Sequence, residues 1–191
     1  MSGRVQLKAA YREVPYSELP DAADHLACSY LMNSQSCSQS VVAALHDLVE
    51  IDSLIVKIAT SSYAGQAAQV VGTCGALIAG NMVLDYFFGR PYEYMSSSEY
   101  KIDNIRLLRS AVEVAKLLYD RYIGEYGTII CPHIQTQLFG RSYYLLDSDE
   151  FRKFEAQGGH SDPSKVGRVV GNAARWTVEI LIDEGILETQ P

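Results

Sequence analysis

From Ile58 to Leu84 the chain carries no charged residue. A stretch of that length either crosses a bilayer, for which about 20 apolar residues suffice, or is enclosed by the rest of its own domain. Ser61, Ser62, Gln66, Gln69, Thr73 and Asn81 interrupt it, and Asp85 follows directly. The expectation is therefore a fully buried core segment and no membrane partner. Its later part predicts a helix from about Thr73 to Phe88, stopped by Gly89, Arg90 and Pro91.

Helical spacing continues on both sides. Ser17 and Pro20 open a first helix that carries Ala23, Leu26, Ala27, Tyr30 and Leu31 before Asn33 and Ser34 break it. A second begins at Ser36 and places Cys37, Val41, Ala44, Leu45 and Leu48 on one face, and a short third runs through Leu54, Ile55 and Ile58. Tyr92 to Tyr100 reads as a surface loop ending in a Ser97-Ser98-Glu99 start signal. Helix five then runs from about Ile102 to Ile123, with an apolar stripe of Ile105, Leu108, Val112, Ala115 and Leu118, and Gly124 and Gly127 end it. Cys131 and Pro132 open a sixth helix closed by Gly140. A turn or two is expected around Glu150 to Glu155, and the last helix runs from Asp162-Pro163 to Glu184 with Gly185 as its cap. β-branched alternation is nearly absent. The fold class is thus all-α: six to seven helices around the buried apolar helix at about 73–88. The chain, 1–191, reads as one domain with a core over 17–187 and a short N-terminal tail, 1–16.

Asp and Glu outnumber Lys and Arg by 23 to 16, and no basic run occurs, so nucleic acid is excluded as a partner. Met1 to Ala9 lacks the apolar core of a secretory signal. Four cysteines in 191 residues are too few for a disulfide scaffold. The expected compartment is the cytoplasm, where thiols stay reduced.

Three of those cysteines share one setting. Cys37 follows Ser36 in the first turn of an apolar helix, Cys74 follows Gly72 and Thr73, with Thr73 as N-cap, and Cys131 precedes Pro132. A helix N-terminus offers unpaired N–H groups and a partial positive charge, which lowers a thiol's pKa and stabilises anions. Converging, the three ends would form a pocket for an anionic, sulfur-ligated cofactor. Taken singly, each cysteine also reads as a small core hydrophobe. No C-x-x-C pair occurs, and no C-x-x-C-H sequence for c-type haem attachment.

The segments Ser36-Cys37-Ser38-Gln39-Ser40-Val41, Gly72-Thr73-Cys74-Gly75-Ala76 and Tyr126-Gly127-Thr128-Ile129-Ile130-Cys131 resemble the C_GCAxxG_C_C family of redox-active proteins. The resemblance runs from about Asp21 to Leu187. The family carries four cysteines, and its domain also occurs in split-Soret cytochromes c, where it accompanies an iron–sulfur cluster as well as haems. The resemblance implies a helical domain that holds a cluster, of [2Fe–2S] type, through Cys37, Cys74 and Cys131. It also implies a redox partner protein and a homodimer. Backbone N–H groups around Gly72, Thr73, Gly75 and Thr128 are expected to hydrogen-bond the cluster's sulfurs and raise its potential.

The chain departs from the family pattern twice. The motif glycine is displaced, with Ala79 in its place and Gly80 one residue late, and Val166 stands where the fourth cysteine would head the last helix. Cys28 and His133 are the candidate replacements. Residues two apart on a helix point about 200° apart, so His133 joins Cys131 only if that turn is not helical. His25, His46 and His160 read as surface or satisfied histidines. Arg168 and Arg175 either balance an anionic site or pair with carboxylates, and Tyr63, Tyr86, Tyr122 and Tyr126 either wall the pocket or pack. Glu113, Asp120 and Glu125 lack the Glu-x-x-His of a ferritin-like site. An electron carrier or redox sensor is expected rather than an enzyme. The alternatives are a thiol–disulfide protein using Cys37 and Cys74, with a lowered thiol pKa, and a helical interaction domain with a vestigial metal site.

Overall fold

Helix α1 spans Leu19–Ser34 and α2 spans Cys37–Leu48. Pro20 sits in the first turn of α1, where its missing N–H costs nothing, and Gln35 ends the helix in a left-handed conformation. Ser36 then caps α2 by accepting the Gln39 N–H. Leu19, Ala23, Ala27 and Leu31, four residues apart, form the buried edge of α1. The computed structural model describes residues 4–96 and 101–187. Among these residues the chain is all-helical and contains no strand; β pairing is confined to isolated bridges.

The remaining helices are α3 (Leu54–Ile58), α4 (Gly75–Phe88), α5 (Glu93–Ser96), α6 (Lys101–Tyr126), α7 (Cys131–Phe139), α8 (Ser148–Ala156) and α9 (Arg168–Asp183). Helix α4 is central, packed against α2, α6 and α9, while α1 packs on α2 and α9. Small residues permit that arrangement. Ala76 and Ala79 are fully buried, and a Cβ on Gly80 would lie 2.7 Å from the Thr177 hydroxyl and press on Leu118. The displaced glycine thus lies where α4 meets α6 and α9.

Several expectations change here. The uncharged stretch is not one buried segment, since Ile58 is 57% and Val71 75% exposed. It divides into the end of α3, a 3-10 turn over Ala59–Ser62, a loop, and α4. In the loop, Ala64 to Ala68 all have positive φ (48°, 70°, 82°, 48° and 57°). A single glycine among those five gave no warning of a left-handed turn. Among the described residues no helix is long and apolar enough to cross a membrane.

Gly124 lies inside α6; Gly127, at φ +65°, ends it. The expected stripe holds only at the C-terminal half, because Ile105, Leu108 and Val112 are exposed while Val114, Leu118 and Tyr122 enter the core. Val5 and Leu7 are buried, the Val5 N–H donates to the Ile186 carbonyl at 2.7 Å, and Leu7 bridges Val49. The last helix begins with a π-type turn over Pro163–Gly167, capped by Asp162 on the Ser164 N–H, with non-helical backbone at Lys165. The Ser97-Ser98-Glu99 signal lies outside the described residues.

Candidate functional site

Two backbone hydrogen bonds bring the second and third cysteine segments together. The Cys74 N–H donates to the Ile129 carbonyl at 2.8 Å, and the Cys131 N–H donates to the Gly72 carbonyl at 2.9 Å. They flank an antiparallel bridge between Thr73 and Ile130. Each cysteine then begins a helix: Cys37 is the first residue of α2, Cys131 the first of α7, and Cys74 the N-cap of α4. The N-cap expected at Thr73 is therefore one residue early, because Thr73 is held in the bridge.

The three starts converge. Cys37, Cys74 and Cys131 line one cavity of about 40 Å³ together with Tyr63, His160 and Val166. One ordered water needs only roughly 10–15 Å³. Two glycines make the approach possible. A Cβ on Gly75 would lie 2.8 Å from the Cys37 sulfur and collide with the Ser62 carbonyl, and one on Gly65 would lie 2.7 Å from the Cys131 Cβ.

Nearby N–H groups favour the thiolate form: those of Ala64, Ser38 and Cys37 itself act to lower the Cys37 pKa, and those of Leu77 and Ala76 act likewise on Cys74. Gln135 Nε2 donates to the Cys131 Sγ at 3.9 Å, whereas the Cys74 thiol donates to the Tyr122 oxygen at 4.0 Å and the Tyr122 hydroxyl donates in turn to the Val169 carbonyl at 3.4 Å. These donors do not offset burial. Desolvation is the largest influence on all three thiols, and mutual repulsion adds to it at Cys37 and Cys131. The Cys37 thiol is pushed up to about 12, and those of Cys74 and Cys131 also rise. The lowered pKa expected from the helix N-termini is thus reversed, because the partial charge of a helix end is small beside the loss of water. The thiol–disulfide alternative calls for a lowered thiol pKa at Cys37 and Cys74; burial acts in the opposite direction on both, and all four cysteines are free.

The expected backbone donors are arranged differently. The Gly72 N–H donates to the Gly65 carbonyl at 3.0 Å, and the Thr128 hydroxyl accepts the Ile130 N–H at 3.1 Å. Gly72, Thr73 and Thr128 therefore fix the backbone that carries Cys74 and Cys131, while Gly75 provides room for Cys37. Sequence reasoning missed Ala64, Ala76, Leu77 and Gln135, whose relation to the sulfurs is created by the left-handed loop and the first turns of α4 and α7.

Neither expected replacement ligand lines the cavity. Cys28 lies 3.2 Å from the Gly167 carbonyl and 3.5 Å from Asp24 Oδ1, and burial with the Asp24 charge pushes its thiol up to about 11. His133 is exposed, with Nδ1 3.3 Å from the Thr128 hydroxyl. It follows Cys131 on a regular helix and points away. Val166, by contrast, does line the cavity.

His160, expected at the surface or satisfied, is 3% exposed and lines the cavity too. Its Nδ1 bonds the Glu155 carboxylate, and Phe154 packs edge-on against its ring at 5.1 Å. Burial lowers its pKa from 6.5, opposed by Glu155. Of the four tyrosines, Tyr63 lines the cavity, Tyr122 and Tyr126 pack against each other at 5.3 Å beneath it, and Tyr86 is exposed. The arginines pair with carboxylates, Arg168 with Glu125 and Arg175 with Asp21 and Asp24.

Among the described residues, no three His, Cys, Asp or Glu side chains are grouped as ligands of a single metal ion. The cysteines surround a cavity rather than a point. A family model described as "Putative redox-active protein (C_GCAxxG_C_C)" matches residues 35–180, which include Cys37, Cys74, Cys131, His160 and Val166. No curated protein and no solved structure matches the chain.

Proposed function

The chain belongs to the C_GCAxxG_C_C family of redox-active proteins, and from that membership we propose that it holds an iron–sulfur cluster between Cys37, Cys74 and Cys131. The observation that carries the reading is the set of three buried thiols around one cavity. Alone they stay protonated, because burial opposes each thiolate and neighbouring thiolates oppose one another at Cys37 and Cys131. A cationic iron centre removes that opposition, as metal binding displaces thiol protons. The donors at each sulfur then stabilise bound thiolate, which tunes the potential upward. What supports the reading is the chemistry of the wall, three soft sulfur donors, together with Gly65 and Gly75, where a Cβ would crowd Cys131 and Cys37.

When bound, a [2Fe–2S] cluster supplies a one-electron couple. Tyr122, Tyr126 and Ile134 are buried, and Tyr122 and Tyr126 lie beneath the site, which keeps water from the thiolates. The function that follows is electron transfer or redox sensing with a protein partner in the cytoplasm. The family resemblance adds a homodimer, which sedimentation of the purified protein tests.

The first experiment is anaerobic purification or reconstitution, with a visible spectrum and iron and acid-labile sulfide counts. The expected result is a brown protein with matched iron and sulfide, and loss of both in Cys37→Ser, Cys74→Ser and Cys131→Ser. A colourless wild type that resists reconstitution ends the reading. Cluster content unchanged in all three variants ends the ligand assignment.

A further inference from the structure

Helix α6 leaves an apolar row outside the fold. Ile105, Leu108 and Val112, which their spacing assigns to the core, are 48%, 42% and 57% exposed. Ala115 is half-buried, and Tyr119 extends the row, also exposed. The steps between these five residues are three, four, three and four. That is the spacing of a seam between two packed helices rather than of scattered surface residues. The helix's own core contacts lie elsewhere, at Ala111, Val114, Leu118 and Tyr122, and Arg121 on the far flank pairs with Glu179 and Asp183 of α9.

A charged row runs beside the seam. At about 100° per residue, Arg106, Arg109, Glu113 and Lys116 fall together on the side of the seam away from the core. Within one chain Lys116 pairs with Asp120 and Arg106 with Asp103, whereas Arg109 and Glu113 have no ion-pair partner among the described residues. The row is complementary to itself when reversed. An antiparallel copy that sets Ile105 level with Ala115, and Leu108 level with Val112, also sets Arg106 level with Glu113 to within one residue, at both ends. Each Glu113 then lies between Arg106 and Arg109 of the second copy. The register that joins the apolar residues is thus the one that joins opposite charges, and flanking charges of this kind set the orientation of paired helices. A parallel copy would instead turn the row toward the flank that holds Ala111 and Leu118, which α6 buries in its own core.

We propose that the outer face of α6 binds a second copy of this chain, antiparallel, about a two-fold axis near Ser110. A two-fold contact uses the same patch on both copies, so each favourable pair occurs twice. The inference gives the homodimer named above its surface and register, and it does not depend on the cluster.

The test is sedimentation velocity of the full chain over a concentration series, in wild type, Val112→Glu, Arg106→Glu, Glu113→Arg and an equimolar mixture of the last two. Circular dichroism checks the helix content of each. The expected result is a dimeric wild type and a monomeric Val112→Glu. Arg106→Glu and Glu113→Arg each weaken the dimer by about tenfold, because both symmetric contacts turn repulsive. Their mixture recovers it, since one copy then presents acidic groups at both positions and the other basic groups at both. That recovery also shows the two variants to be folded. A wild type that stays monomeric throughout overturns the proposal and the homodimer together. A dimer that Val112→Glu leaves intact overturns the proposal alone and puts the interface on another face. A mixture no more dimeric than either variant overturns the antiparallel register.

Discussion

Gly75 separates the backbone carbonyl of Ser62 from the sulfur of Cys37, and there is no space there for even a methyl group. Gly75→Ala forces one of the two to move, an overpacking cost of about 1–3 kcal/mol. It is expected to lower the denaturation midpoint of the iron-free protein and to reduce iron uptake. Gly124 provides the opposite case, because it lies within α6 with nothing within 4 Å of its ideal Cβ. Gly124→Ala is expected to stabilise by about 0.5–1 kcal/mol through helix propensity and to leave iron uptake unchanged. Urea denaturation of the two variants checks the pair, and a Gly75→Ala protein as stable and as iron-rich as wild type would refute the packing argument. At this scale His160 and Val166 carry the same lesson. A histidine and a valine six residues apart give no sign in the sequence that they share a cavity wall, since the π-type turn between them sets their directions.

Among the elements, the loop before α4 is the least ordinary. Its left-handed run puts the Gly65 carbonyl on the Gly72 N–H and lets the Ala64 N–H act to lower the Cys37 pKa. L-residues in that conformation cost roughly 1–2 kcal/mol each, and such strain concentrates at functional sites. Ala67 is exposed with φ 48°, so its methyl contributes little besides strain. Ala67→Gly is therefore expected to be neutral or to stabilise by up to about 1 kcal/mol, once the greater freedom of glycine in the unfolded chain is set against the relief. A thermal melt decides it, and a clear loss of stability would show the turn to be wrongly described. The boundaries of α1, α2, α4 and α7 follow from Pro20, Ser36, Gly89 and Gly140 and were legible in the sequence to within two residues. The turn was not, because alanine is a helix former and its left-handed geometry is imposed by contacts from distant segments.

For the whole molecule, the buried acids set the response to pH. Each cysteine thiol in the site, and the phenols of Tyr63, Tyr122 and Tyr126, have folded pKa values raised first by desolvation. A raised folded value means that the folded state holds the proton more tightly than the unfolded one. The stability this contributes is complete below the unfolded value and is lost as pH rises through the folded one. For Cys37 that window runs from 9.0 to about 12. The iron-free protein is expected to lose stability progressively above pH 9, and Cys37→Ser to lose it less steeply. Urea midpoints between pH 7 and 11 measure both. Iron loading has the opposite dependence, since it displaces thiol protons, and uptake is expected to strengthen with rising pH as long as the fold persists. A flat stability profile above pH 9 would mean that the thiols are hydrated.

The sequence by itself determined the helical class, most helix ends, and the placing of Cys37, Cys74 and Cys131 at helix starts, because caps, prolines and apolar spacing act over a few residues. The tertiary structure alone decided that the three starts meet, that burial outweighs the helix ends in setting the thiol pKa values, and that His160 joins them on the cavity wall. Desolvation depends on everything packed around a group, and convergence on bridges such as Thr73 to Ile130, 57 residues apart in the chain. Neither quantity is a property of a local run of residues.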